Sequence, residues 1–185
     1  NFEYQMEMGL VATFDAENSL LGGRKVLKVL WEFEDGTTYE GSDLTYTKNF
    51  QSIGEQRVKL TVFDELNRTS TSEKEVFIYA VTVPDPGEVG RLTLEGVDSD
   101  NDGIRDDVQR EIASITVGDV QKESTLKKAA SSFQNIATGP IDRAQSVALM
   151  RTSLDHFDCY LYQTDFSDQA IKDFGRLKAK VYNTK

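Results

Sequence analysis

Three aspartates at alternate positions, Asp98, Asp100 and Asp102, stand in the run Asp98-Ser99-Asp100-Asn101-Asp102-Gly103. Acids spaced this way can wrap their oxygens around one cation, and calcium takes roughly six to eight oxygen ligands. With Asp98, Asp100 and Asp102 as the first, third and fifth residues of the loop, Gly103 permits the sharp turn that follows. The Ile104 carbonyl then points inward, and Asp106 binds directly or through water. The closing ligand is open among Asp106, Asp107 and Gln109. Gln109 falls where loops of this spacing carry a bidentate Glu, and it offers one neutral oxygen. Asp107 is the preferred substitute. The expected metal set is therefore Asp98, Asp100, Asp102, Ile104, Asp106, Asp107 and Gln109, with Ca2+ as the cofactor. Without a cation, carboxylates so close together repel one another. An affinity on the order of 10⁻⁴ M suits such a loop, a value typical of extracellular sites.

Other chemistry finds little support. The one histidine, His156, lies three residues before the one cysteine, Cys159, with Asp155 and Asp158 beside them. A Cys-His pair without an oxyanion hole or cleft is weak evidence for nucleophilic catalysis. The expectation is a surface histidine, a small core cysteine and no enzyme activity. No phosphate-binding glycine loop or zinc cluster stands out. Acidic residues number 31 against 21 basic ones, for a net charge of −10. That balance disfavours nucleic acid, which is held by clustered Lys and Arg. No apolar run approaches the roughly 20 residues of a membrane span, and a single cysteine allows no disulfide within the chain. The chain opens at Asn1 without an initiating Met, as expected of a mature or trimmed fragment.

The elements that must position the loop change character along the chain. Residues 10–14, 26–33, 57–63 and 75–81 are rich in β-branched and aromatic side chains. Turn signals separate them at Leu21-Gly22-Gly23, Asp35-Gly36, Gly41, Gly54 and Leu66-Asn67. Val58, Leu60 and Val62 alternate with Arg57, Lys59 and Thr61, a pattern of strands with one buried and one wet face. Pro84 and Pro86 end this region, because each lacks a backbone donor. Helical spacing follows. Val108, Ile112 and Ile115 share one stripe, and Leu126, Ala130, Phe133 and Ala137 another, over about residues 119–137. A third helix, from Pro140 to Gln163, places Val147, Met150, Leu154, Phe157 and Leu161 on one face. A fourth, capped by Ser167, uses Ile171, Phe174, Leu177 and Val181. The expected fold is α+β and multidomain: an immunoglobulin-like β-sandwich over residues 1–83, a linker over 84–97, and the calcium loop with a small helical bundle over 98–185.

Three segments give the first region a family likeness. Phe14-Asp15-Ala16-Glu17-Asn18-Ser19, Trp31-Glu32-Phe33-Glu34-Asp35-Gly36-Thr37-Thr38 and Gly54-Glu55-Gln56-Arg57-Val58-Lys59-Leu60-Thr61-Val62-Phe63-Asp64 follow one another in the order of a PKD domain. The region from about residue 7 to 83 thus resembles that immunoglobulin-like module. The resemblance implies that Trp31 packs between sheets, that Asp35-Gly36 turns the chain, and that Asp15 and Ser19 tie turns to the backbone. Glu34 replaces the family's glycine and would be strained at positive φ. Tyr39, Tyr46 and Phe50 are expected to pack on the sheets, with an exposed patch as the alternative. The aspartate run resembles the calcium loops of thrombospondin type-3 repeats and of bacterial toxin-binding components, and it is EF-hand-like in spacing.

These likenesses imply a noncatalytic, calcium-binding interaction or adhesion module, secreted, periplasmic or anchored at the cell surface, in which calcium stiffens the junction of the two parts. The alternative is an accessory substrate-binding segment of a larger secreted hydrolase. The expected partners are calcium and another protein or a polysaccharide, with no nucleic acid and no membrane span in this chain.

Overall fold

The structure is a computed structural model that describes residues 1–19, 25–139 and 142–182. It divides into two compact units, residues 1–80 and 81–185.

The first unit is a β-sandwich. Its strands are β1 (Glu3–Met6), β2 (Val11–Asp15), β3 (Lys28–Phe33), β4 (Thr38–Gly41), β5 (Thr45–Asn49), β6 (Gly54–Phe63) and β7 (Thr69–Ile78). A three-stranded sheet has the order β1-β2-β5, and a four-stranded sheet the order β4-β3-β6-β7. Every pairing is antiparallel. Alternation decides the faces: Val29, Trp31 and Phe33 of β3 and Val58, Leu60 and Val62 of β6 are buried, with Trp31 opposite Leu60. Phe14 of the smaller sheet meets Trp31 and Phe33 of the larger at centroid distances of 5.5 and 5.3 Å. Trp31 is wholly buried between the sheets, as its place in the sequence predicts. The short strands β1, β4 and β5, which lack a strong apolar alternation, escape the sequence reading.

The turns follow their side chains. Asp35 accepts from the Thr37 amide and hydroxyl, and Gly36 takes φ +81°. Asp15 accepts from the Glu17 amide. Ser19 instead donates its hydroxyl to the distant Asn1 carbonyl, so it pins the N-terminal segment and not a turn. Glu34 avoids the positive φ of a glycine, and its carboxylate accepts from the Arg57 amide at 3.0 Å. Phe50 is buried, while Tyr39 and Tyr46 are half-buried and stack with their rings 4.4 Å apart. The turn expected at Leu21-Gly22-Gly23 lies outside the described residues.

The second unit holds α1 (Asp106–Thr116), α2 (Val120–Thr138), α3 (Arg143–Gln163) and α4 (Asp168–Tyr182). Caps place the boundaries. Asp119 accepts from the Gln121 and Lys122 amides, Asp142 and Gln145 form a reciprocal capping box, and the Ser167 hydroxyl accepts from the Ala170 amide. Pro140, expected to open α3, lies outside the described residues. Ile104, Val108, Ile112, Leu126, Phe133, Tyr160, Phe174, Leu177 and Val181 build one core with Ala129, Ala130 and Ala170.

One stripe is corrected. Val147, Met150 and Leu154 of α3 are 45, 43 and 53 % exposed, and only Phe157 and Leu161 reach the edge of the core. The buried positions of α3 are Ser153 and Tyr160. Ser153 returns its hydroxyl to the Leu149 carbonyl, so burying it leaves no polar group unpaired. Tyr160 supplies the large ring instead. Ile171 is likewise exposed, and Ala170 and Asp173 take the inward positions of α4. Segment 84–97, expected as a linker, folds with the second unit: the Leu94 carbonyl accepts from Gln134 Nε2, and the Val97 carbonyl from the Asp106 amide.

Candidate metal centre

The aspartate run forms a closed loop leading into α1. Asp98 accepts from the Asp102 and Gly103 amides at 3.2 and 2.9 Å, which folds the chain back on itself. Asn101 and Gly103 take φ values of +58° and +84°, the left-handed region that Asn and Gly tolerate best. Asp102 accepts from the Ile104 amide at 2.9 Å and sends the chain toward the core, where the Ile104 side chain is buried.

This folding gathers one carboxylate oxygen each from Asp98, Asp100 and Asp106 within 4.8 Å of one another. The three differ in burial. Asp100 is exposed, Asp98 half-buried and Asp106 wholly buried. Asp106 Oδ1 accepts from the Ser99 amide and hydroxyl at 2.9 and 3.1 Å. Its Oδ2 is buried with no hydrogen-bond partner among the described residues. Gln109, also buried, directs Nε2 to both oxygens of Asp100 at 3.0 and 3.2 Å, and lies 3.4 Å from the Ile104 carbonyl. Its Oε1 is buried and unpartnered as well.

The remaining predicted ligands stand apart. Asp102 does not join the three-oxygen group. Burial, with Asp100 and Asp98 nearby, raises its carboxyl above the usual range, although the Ile104 amide acts the other way. Asp107, the preferred closing residue, faces elsewhere. Arg105 Nε and Nη2 grip its two oxygens at 3.0 and 2.9 Å, and Lys180 lies 3.9 Å away. Adjacent residues at the start of a helix project on different sides, so Asp106 can reach the loop only if Asp107 does not.

Arg105 itself is wholly buried, and its third contact is the Val181 carbonyl at 3.2 Å. A charge removed from water this completely depends on its partners. Gly96 makes room for it: at φ +59°, an added Cβ would fall 2.6 Å from Arg105 Nε and 2.8 Å from the Gly90 carbonyl oxygen. Nothing in the spacing of the acids announces this clasp. The one available signal was a single arginine set in an otherwise acidic run.

The oxygens gathered here are hard donors, three carboxylates beside a backbone carbonyl, and no soft sulfur ligand lies among them. The Arg105 guanidinium is engaged with Asp107, so it does not neutralise the group. The donor set and the buried, unpartnered Asp106 oxygen fit a calcium ion. Away from this loop, Cys159 is exposed, against the expectation of a core cysteine. Burial, and then Lys128, lower the His156 imidazole below its ordinary value.

Comparison with known proteins bears on the first unit. The PKD domain model matches residues 2–78, so the resemblance read from the segments around Phe14, Trp31 and Val58 holds for that unit. A microbial collagenase of Vibrio alginolyticus is 36 % identical over 75 residues, which are 40 % of this chain and 9 % of the collagenase. The chain thus spans less than a tenth of that relative's length. Among solved structures, the PKD1 domain of the Vibrio cholerae metalloprotease PrtV is similar with a TM-score of 0.37 and 24 % identity, covering 42 % of this chain and 91 % of that domain. The PKD1 domain of Vibrio anguillarum Epp gives 0.34 and 22 %, covering 45 % of this chain and 92 % of that domain. The PKD domain match ends before the aspartate loop and the four helices. Among the described residues, no helix is long and apolar enough to cross a membrane.

Proposed function

We propose that this chain is a noncatalytic module of an extracytoplasmic protein, and that its second unit binds one calcium ion through Asp98, Asp100, Asp106 and the Ile104 carbonyl. The observation that carries the metal reading is the buried Asp106 carboxylate, which is gathered with those of Asp98 and Asp100 and keeps one oxygen, Oδ2, without a donor among the described residues. A buried carboxylate oxygen that lacks a donor is costly, and two more carboxylates nearby add repulsion. A divalent cation removes both costs. Calcium suits the site better than magnesium, which keeps several waters and takes fewer protein ligands. All the proposed ligands belong to the second unit, so the ion orders the entry into α1 there.

The role of the first unit rests on its PKD domain match and on the partial likeness to a collagenase. These support an accessory segment of a secreted hydrolase as a second reading beside a free-standing adhesion module. Co-sedimentation with insoluble collagen and polysaccharides separates the two.

Calorimetric titration of the intact chain with calcium tests the metal site. Wild type should bind with a Kd on the order of 10⁻⁴ M, and Asp100→Ala, at an exposed position, should weaken binding by about tenfold or more. A wild type that shows neither heat of binding nor a calcium-dependent rise in Tm overturns the metal reading.

A further inference from the structure

We infer that Gln109 closes the calcium site by turning its side-chain amide, with nitrogen facing the ligand oxygens before the ion binds and oxygen facing them afterwards. This rests on the calcium reading above and deepens it. The amide nitrogen of Gln109 already lies among the proposed ligands, 3.0 and 3.2 Å from the two oxygens of Asp100 and 3.4 Å from the Ile104 carbonyl. With three oxygens around it, that end of the amide must be the nitrogen, because an oxygen would meet only acceptors. An NH2 group held there does part of a cation's work whenever no ion is bound. It offers partial positive charge to Asp100, while Oε1 is left buried without a donor.

A half-turn about Cγ–Cδ exchanges the two ends of the amide. Oε1 then takes the place of Nε2 beside Asp100 and Ile104, an arrangement that is unfavourable with the loop empty and favourable once a cation lies among the oxygens. The side chain is only 3 % exposed, so neither orientation is set by bulk water. A glutamate at this position would supply two charged oxygens to the ion, but it would oppose Asp100 in the ion's absence. Gln109 thus exchanges affinity for a loop that keeps its shape when calcium is scarce.

The experiment compares wild type, Gln109→Glu and Gln109→Met by calcium calorimetry, by Tm with chelator and with excess calcium, and by NMR of the Gln109 side-chain amide. Gln109→Glu should bind calcium about tenfold more tightly than wild type and melt lower in chelator, so that the order of stability reverses with calcium. Gln109→Met, which keeps the bulk but not the oxygen, should bind several-fold more weakly. The two amide proton signals of wild-type Gln109 should shift together over the calcium titration. If wild type binds calcium while Gln109→Glu binds no tighter and the amide signals stay fixed, Gln109 lies outside the site. If neither wild type nor Gln109→Glu binds, the calcium reading itself fails, and this inference with it.

Discussion

Two buried aspartates, one in each unit, show what separates a structural acid from a candidate ligand. Asp64 in the β-sandwich is 3 % exposed and accepts from the Leu66 and Arg68 amides and from the Arg68 guanidinium. Both of its oxygens are answered by the chain itself. Asp106 in the helical unit is equally buried, yet one of its oxygens has no donor among the described residues, and its carboxylate lies beside two of like charge. Acidity and burial are common to both. The unanswered oxygen is the difference, and it is visible only when every hydrogen bond is traced.

The same contrast runs through the two units at large. In the first, Asp35 is paired with the buried Lys48 at 2.7 Å, and Lys48 in turn lies over the rings of Phe33 and Phe50. In the second, Arg105 is spent on Asp107 and the Val181 carbonyl, so this buried cation does not serve the loop acids.

The largest test of this contrast strikes the sandwich alone. Trp31→Ala empties the space between the sheets and should cost about 3–5 kcal/mol, enough to unfold a marginal unit. Circular dichroism should then lose the strand contribution while the helical signal still melts higher with calcium. A helical transition that vanishes together with the sandwich would show that the two units do not stand apart in stability. In wild type, fluorescence of the one tryptophan reports the first unit, and calcium should leave its melting unchanged.

A smaller effect comes from acid. The Lys48 ammonium, with help from the Thr37 hydroxyl and amide, holds the Asp35 carboxyl at about 2, below its ordinary 3.8. The folded state therefore binds this proton less readily than the unfolded chain does. The stability it contributes is complete above pH 3.8 and is lost as the pH falls through about 2. Asp35→Asn should flatten that part of an acid titration followed by tryptophan fluorescence. An unchanged profile would mean that the pair is screened to insignificance, since Asp35 is largely open to solvent.

The smallest effect is expected on α3. Leu154→Ser should alter stability by no more than about 0.5 kcal/mol, because Leu154 is already exposed. A large drop in Tm would reinstate the stripe read from the sequence.

Much of this was legible in the residues. The sandwich was readable because β3 and β6 alternate strictly, and because Trp31 and Asp35-Gly36 have one sensible role each in a sheet and its turn. Helix ends were readable where a single side chain does the capping, as at Asp119 and Ser167. The packing face of α3 was not. Periodicity identifies an apolar stripe, but a serine bonded within its own helix and a large tyrosine displaced that stripe from the interior.

The aspartate loop divides along the same line. The sequence by itself determined that oxygens would crowd at one turn, since alternate aspartates with glycine after them leave the backbone few other paths. Only the tertiary structure decided which oxygens crowd. Asp107 is drawn away by the buried Arg105 two residues before it, which Gly96 makes room for and the Val181 carbonyl of α4 holds, and Asp106 is left facing the loop. Ligand spacing is a local property of the chain, whereas the arginine that removes Asp107 from the loop is itself held by the Val181 carbonyl, 76 residues away.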